Sequence, residues 1–234
     1  MKKCAMKKYL IVNGDDFGAT RGINRGINQA HRCGILTSTS LLVNTPWSQE
    51  AAELSHTSPE LSVGLHVHLE NGVRELNSGP SQVRTALDEQ LFRFQMFVGQ
   101  LPTHLDSHHN VHRDPELLPL FLELAQRYGL PLRDHSEVHH FSKFYGQWGE
   151  ERHLEQISTG SLTGMLETEI EHGITELACH PGYVDPQDTS SYSVEREAEL
   201  WALCEPRIRH VLAAQSIQLI SYHDVPRLLA GAAV

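Results

Sequence analysis

Short uninterrupted apolar runs alternate along this chain with longer stretches of mixed polarity. The first run, Tyr9-Leu10-Ile11-Val12, breaks off into Asn13-Gly14-Asp15-Asp16-Phe17-Gly18. An apolar run closed by glycines reads as a strand buried on both faces, as in a parallel sheet. Asn24 to Cys33 follows as a helix, with Gly34 placed to take the left-handed conformation past its end. Ile35 to Val43 and Leu61 to Leu69 read as the second and third strands. Thr45-Pro46 opens a helix between them, running to about His56. A helix over Ser81 to Val98 leads to a fourth strand, Thr103 to His108. Asp114-Pro115-Glu116 starts the next helix and Gly129 ends it. Leu130 to Arg133 is a short fifth strand, and His139 to Gly149, rich in aromatics but without a period, reads as a loop. A helix over Leu162 to Glu171, a sixth strand from Ile174 to Cys179, a helix over Ser193 to Gln215 kinked at Pro206, and a seventh strand from Ile217 to Tyr222 complete the pattern.

Strands separated by helices call for parallel connections. A chain of 234 residues, 40% hydrophobic, suits a single α/β domain, a closed or nearly closed (β/α) barrel of about seven parallel strands over residues 9–234, with 1–8 as a flexible tail. An open doubly wound sheet is the alternative, but no Gly-x-Gly-x-x-Gly follows the first strand. Gly14, Gly18, Gly22 and Gly26 read instead as permitting tight turns and close helix packing. A net charge of −10, with no basic cluster beyond Lys2, Lys3, Lys7 and Lys8, argues against nucleic acid or an anionic membrane as partner. Tyr9 to Val12 is too short for a signal-peptide core or a membrane span, so the expected location is cytoplasmic. Cys4, Cys33, Cys179 and Cys204 are scattered and read as reduced thiols.

Histidine changes the picture. There are 16, four of them between His104 and His112. In the expected barrel, Asp15 and Asp16 follow strand one, His66 and His68 end strand three, and Asp106 and His108 end strand four. His180 follows strand six, and His223 and Asp224 follow strand seven. Each alone has an ordinary reading as a solvated or hydrogen-bonded side chain. Together they fall on one rim, whereas unrelated polar residues would spread over both ends, and carboxylates with imidazoles point to a metal. Strand alternation puts Asp106 and His108 on one face but does not choose between His66 and His68.

Five ordered stretches carry a family resemblance: Val12 to Gly18, Gly34 to Ser40, Val63 to His66, Pro102 to His109, and Cys179-His180-Pro181-Gly182. Together they resemble the YdjC-like carbohydrate deacetylases, over about Tyr9 to Val225. The resemblance implies a distorted (β/α) barrel, one divalent ion (Mg²⁺ or Zn²⁺), an N-acetylated sugar as substrate and a homodimer. Carried over by position, it assigns the metal to Asp16, His66 and His108, the base to Asp15 and an acid role to His180. Asp106 is expected to orient His180, and Arg133 to pair with Asp15. Tyr145, Trp148 and Tyr183 are candidate sugar-stacking rings. Gly14 stands where the family usually has Ala, Asn110 where it commonly has His, and Asn71 to Val83 is shorter than usual. Roles for His68, Asn110 and His112 stay open.

The residue types fit hydrolysis of an acetamide. A divalent ion would lower the pKa of bound water from ~15.7 toward ~7, Asp15 would take the proton, and a histidine of pKa near ~6.5 would protonate the departing amine. A metal-dependent amidohydrolase or phosphoesterase, or a sugar-binding barrel without activity, remain the rival readings.

Overall fold

The computed structural model describes residues 7–69, 79–149, 151–186 and 190–232. Residues 1–6 of the expected tail and most of the Asn71 to Val83 segment lie outside these. In chain order the elements are β1 (Lys8–Phe17), α1 (Arg21–Cys33), β2 (Ser38–Leu41), α2 (Ser48–His56), β3 (Ser62–Val67), α3 (Pro80–Val98), β4 (Leu105–Ser107), α4 (Leu118–Tyr128) and β5 (Val138–Phe141). A two-stranded hairpin of β6 (Gln147–Trp148) and β7 (Glu151–Arg152) follows, then α5 (Thr159–Thr168), β8 (Gly173–Cys179), α6 (Val194–Cys204), α7 (Pro206–Ala214), β9 (Ile217–Leu219) and α8 (Val225–Ala232).

The main sheet runs β4-β3-β2-β1-β8-β5, with every pairing parallel. Since β8 occupies one edge of β1 from Lys8 to Gly14, the other edge is shared: β2 takes Asn13 to Phe17, and β9 takes Lys8 to Leu10. The sheet curls into a half-barrel. Among the described residues no helix is long and apolar enough to cross a membrane.

Alternation along the strands explains how apolar sequence can surround a polar centre. On β1, Leu10 and Val12 join the large core between sheet and helices, together with Leu41, Leu65, Phe94, Phe121 and Leu177. Ile11 points the other way, into a smaller cluster with Val138, Ile174, Ile220 and Tyr222 that plugs the interior of the curl. Above it on the same face come Asn13 and Asp15, both buried. On β8 the inner face likewise passes from Ile174 to Glu176. Each inward column is therefore apolar at the start of its strand and polar toward the end.

Several expectations change in detail. The fifth strand is not Leu130 to Arg133. Only Leu132 bridges Leu105, and the backbone turns at Asp134 with φ 64°. The fifth strand is Val138–Phe141, inside the stretch expected to be a loop, so residues 133–137 carry the chain from the β4 edge to the β8 edge. Gly34 is not left-handed; its φ is −106°, and its role is close approach, since a Cβ there would lie 2.6 Å from Leu203 O. Thr45 and Asp114 precede their helices by a turn, Thr45 Oγ1 accepting from Trp47 N at 3.1 Å and Asp114 Oδ1 from Glu116 N at 2.8 Å. The break at Pro206 gives two helices rather than one kinked helix, proline taking the first position of α7 where its missing N–H costs nothing.

Candidate functional site

Neighbouring residues on a regular strand face opposite ways, yet Asp15 and Asp16 are both buried at the same cavity. The device is local. The β1–β2 register shifts between Gly14 and Phe17, and Asp16 adopts a left-handed φ of 67°. Aspartate tolerates that region better than most residues, at a cost on the order of 1 kcal/mol.

Asp16 Oδ1 lies 2.9 Å from His108 Nδ1 and 3.3 Å from His66 Nε2, while Oδ2 accepts from Arg196 Nη2 at 2.7 Å. The three candidate donor atoms fall within 4.8 Å of one another, separations suited to atoms sharing one ion at ~2.0–2.2 Å. Burial opposes charge on His66, but Asp106, Asp16 and Asp15 outweigh it and raise its pKa to about 10. Without an ion these carboxylates thus hold His66 as the imidazolium. His66 Nδ1 meets Asp106 Oδ1 at 2.7 Å, the carboxylate–histidine contact that fixes a ligand's tautomer. Asp15, Asp16, Asp106 and Glu176 face two guanidinium groups, Arg133 and Arg196, and the His66 imidazolium, so the ion-free centre keeps an excess of negative charge. Asp15, His66 and Asp106 form a second close trio, but Arg133 already binds both of its carboxylates.

His68, which alternation left open, has its backbone held by Gln90 at 3.0 and 2.9 Å, and its ring sits edge-on to His108. His112 is buried against Ser107 Oγ at 2.6 Å and Asp134 at 3.4 Å. Neither belongs to the three-residue group.

Asp15 forms a two-point pair with Arg133 at 2.7 and 2.8 Å and also accepts from Asn13 Nδ2 at 2.8 Å. Burial alone would raise its pKa, but the guanidinium outweighs it and holds the carboxyl below its ordinary range. The Arg133–Asp15 pair expected from sequence is thus present, and it is interior: Arg133 is 3% exposed and also contacts Asp106 at 2.8 Å and Glu176 at 2.5 Å. Tyr222 OH donates to the far oxygen of Glu176 at 2.7 Å, tying this network to the apolar plug.

His180 Nε2 stands 4.0 Å from Asp15 Oδ2. The loop carrying it rests on α1, where a Cβ at Gly26 would lie 2.5 Å from Gly182 Cα. Burial pulls His180 down to about 4, so the resting imidazole is neutral. Asp106 does not orient it, being engaged by His66, Ser40 and Arg133. The carboxylate beside Nδ1 is Glu199, at 3.9 Å, which also accepts from His180 N and from Tyr192 OH. Burial pushes Glu199 up to about 8.

The shared cavity measures about 450 Å³. Tyr145 lines it, stacked on Tyr192 at 4.7 Å. Tyr183 does not; its hydroxyl bonds Gln29 and its ring packs under Arg25. Trp148 lies on the hairpin, half exposed and stacked on His153. His223 and Asp224 are outside the cavity, Asp224 capping a turn through Ser221 N at 3.1 Å.

Sequence reasoning missed Arg196, Glu199 and Glu176. A signal existed for Glu176, a charge inside the apolar run Ile174 to Cys179. Arg196 and Glu199 occupy the buried face of α6 with Leu200 and Leu203, which a helical period could have flagged.

A family model described as YdjC-like protein matches residues 9–214. The chain belongs to the YdjC-like family. Two relatives named carbohydrate deacetylase are similar to it: one from Geobacillus stearothermophilus, 33% identical over 95% of this chain and 100% of its own length, and one from Vibrio cholerae, 31% identical over 91% and 94%. A crystal structure from Enterococcus faecalis, titled a putative cellobiose-phosphate cleavage protein, superposes with a TM-score of 0.80 at 28% identity, covering 94% of this chain and 99% of that one. A polysaccharide deacetylase from Bacillus cereus shares the fold, at a TM-score of 0.59 and 13% identity over 93% of each chain. In this YdjC-like chain the five stretches singled out in the sequence include Asp15, Asp16, His66, His108 and His180, and all five of these residues line one cavity.

Proposed function

We propose that this protein is a metal-dependent hydrolase that removes the acetyl group from an N-acetylated sugar. The observation that carries this reading is the meeting of Asp16, His66 and His108 within 4.8 Å, beside the Asp15–Arg133 pair and His180, in one cavity. The names of the relatives supply the substrate class. Asp16 Oδ1, His66 Nε2 and His108 Nδ1 would hold the ion, Mg²⁺ or Zn²⁺. When bound, that ion supplies Lewis acidity and lowers the pKa of bound water.

The chain's own groups manage the protons. Asp15, held ionised by Arg133, accepts the proton of the attacking water. His180 is neutral at rest, so it does not bring a proton to the reaction. With Nε2 4.0 Å from Asp15 Oδ2, it is within a short step of the proton Asp15 has taken up and passes it to the departing amine. Tyr145 and Tyr192 stand edge-on to His180, ring centroids 5.4 and 5.5 Å away, and form an aromatic wall beside it.

The test is release of acetate and free amine from N-acetylglucosamine oligomers, with and without chelator, in wild type and Asp15→Asn. Chelation should abolish release and added ion restore it. The Asp15→Asn variant should lose on the order of 10²–10⁴-fold in kcat while still binding metal by calorimetry. Sugar binding without any release, indifferent to chelator, would establish the binding-protein reading instead.

A further inference from the structure

The cavity carries a second set of polar groups that the proposed chemistry does not use. Asn110 and Arg113, from the turn after β4, and His140, from β5, all line it. Among the described residues, Asn110 Oδ1 and His140 Nε2 are buried with no hydrogen-bond partner. Folded proteins rarely leave buried polar atoms unpaired without a functional reason. The other end of the imidazole is fixed: His140 Nδ1 lies 3.0 Å from both Asp134 Oδ1 and Arg113 Nη2, and the side chain is 4% exposed. Asp134 in turn accepts from Arg113 Nε at 2.7 Å. Asn110 is held at φ 53°, a conformation asparagine tolerates better than most side chains.

Charge decides what such a wall would take. Arg113 is matched by Asp134, Arg133 by Asp15, Asp106 and Glu176, and Arg196 by Asp16. Each of these guanidinium groups already has its carboxylate, so this side of the cavity offers donors and acceptors without surplus positive charge. An amide, an imidazole and a partnered guanidinium suit hydroxyl groups, which donate and accept at once, rather than phosphate or carboxylate. We infer that Asn110, Arg113 and His140 form a subsite that recognises the hydroxyls of an uncharged sugar ring, and that they set specificity for the sugar bearing the acetamide.

The inference rests on the deacetylase reading, and a substrate series separates the two. Acetate release is measured on the disaccharide of N-acetylglucosamine and its monodeoxy analogues with metal-loaded wild type, Asn110→Ala and His140→Ala. Each variant should raise KM about five- to ten-fold, the loss of one hydrogen bond, with a smaller change in kcat. At least one monodeoxy analogue that costs wild type a similar factor should cost a variant nothing further. A fall in kcat at unchanged KM, or equal losses on every analogue, would overturn the subsite. So would a wild-type preference for a phosphorylated or carboxylated sugar that Arg113→Gln abolishes. If His140→Ala does not fold, His140→Gln, which keeps a polar terminus, takes its place. If wild type releases acetate from none of these sugars, the deacetylase reading fails; calorimetric titration of the same disaccharide then tests the subsite, and equal affinity in wild type and variants overturns it.

Discussion

At Asp16 two demands fall on one carboxylate: Oδ1 faces the two histidines and Oδ2 is held by Arg196. Burial alone would raise its pKa, but Arg196 and the histidines hold it well below the ordinary range, so it stays charged. Partners of this kind are worth 10–100-fold in metal affinity, and Arg196→Gln should lose about that much by calorimetric titration. An unchanged affinity would show that Asp16 needs no such support. Glu199 makes a prediction of its own. Its folded pKa of about 8 lies above the usual 4.5, so the folded chain holds a proton that the unfolded chain releases between those values. Stability conferred by the protonated form is therefore lost as pH rises through that window. Glu199→Gln removes the dependence, and its Tm relative to wild type should climb from pH 4.5 to 8. A constant difference across the window would mean that Glu199 is ionised throughout.

At the scale of elements, α1 and the loop after β8 are packed through glycines on both sides. Gly26→Ala would force a Cβ to 2.5 Å from Gly182 Cα, backbone against backbone, with no flexible side chain to yield. We expect a loss of about 1–3 kcal/mol in stability, and slower acetate release because the loop holds His180. Metal affinity should hold, since none of the three proposed ligands is on that loop; a parallel loss of metal would contradict this division of labour. The same elements show what sequence could reveal. The strands were legible because burial on both faces leaves continuous apolar runs, and the ends of β1, β3 and β4 were legible because carboxylates and imidazoles interrupt those runs. The strand Val138–Phe141 was not, because His139 is exposed and His140 finds its partner, Asp134, only in the tertiary structure. The left-handed turn at Asp16 and the Arg196 contact, 180 residues away, were equally hidden, since neither depends on local pattern.

For the molecule as a whole, the polar centre is a concentration of like charge inside the curl. With four carboxylates against two guanidinium groups and the His66 imidazolium, the folded state without an ion keeps an excess of negative charge that binding relieves. Metal should therefore raise Tm in a concentration-dependent way, by about 2.7 kcal/mol of stability at a hundredfold excess over Kd, and chelator should reverse it. Tm independent of metal would argue that the centre is built to stand without one.

The ion pair between Asp16 and Arg196 joins the first strand of the sheet to α6, a helix that follows all but one strand of the main sheet. During synthesis the aspartate leaves the ribosome early and waits, bare of its guanidinium, until α6 has emerged and docked. On the proposed reading, loading with an ion would be a late event, and a chain cut short before Ser193 should carry all three proposed ligands yet grip a cation poorly.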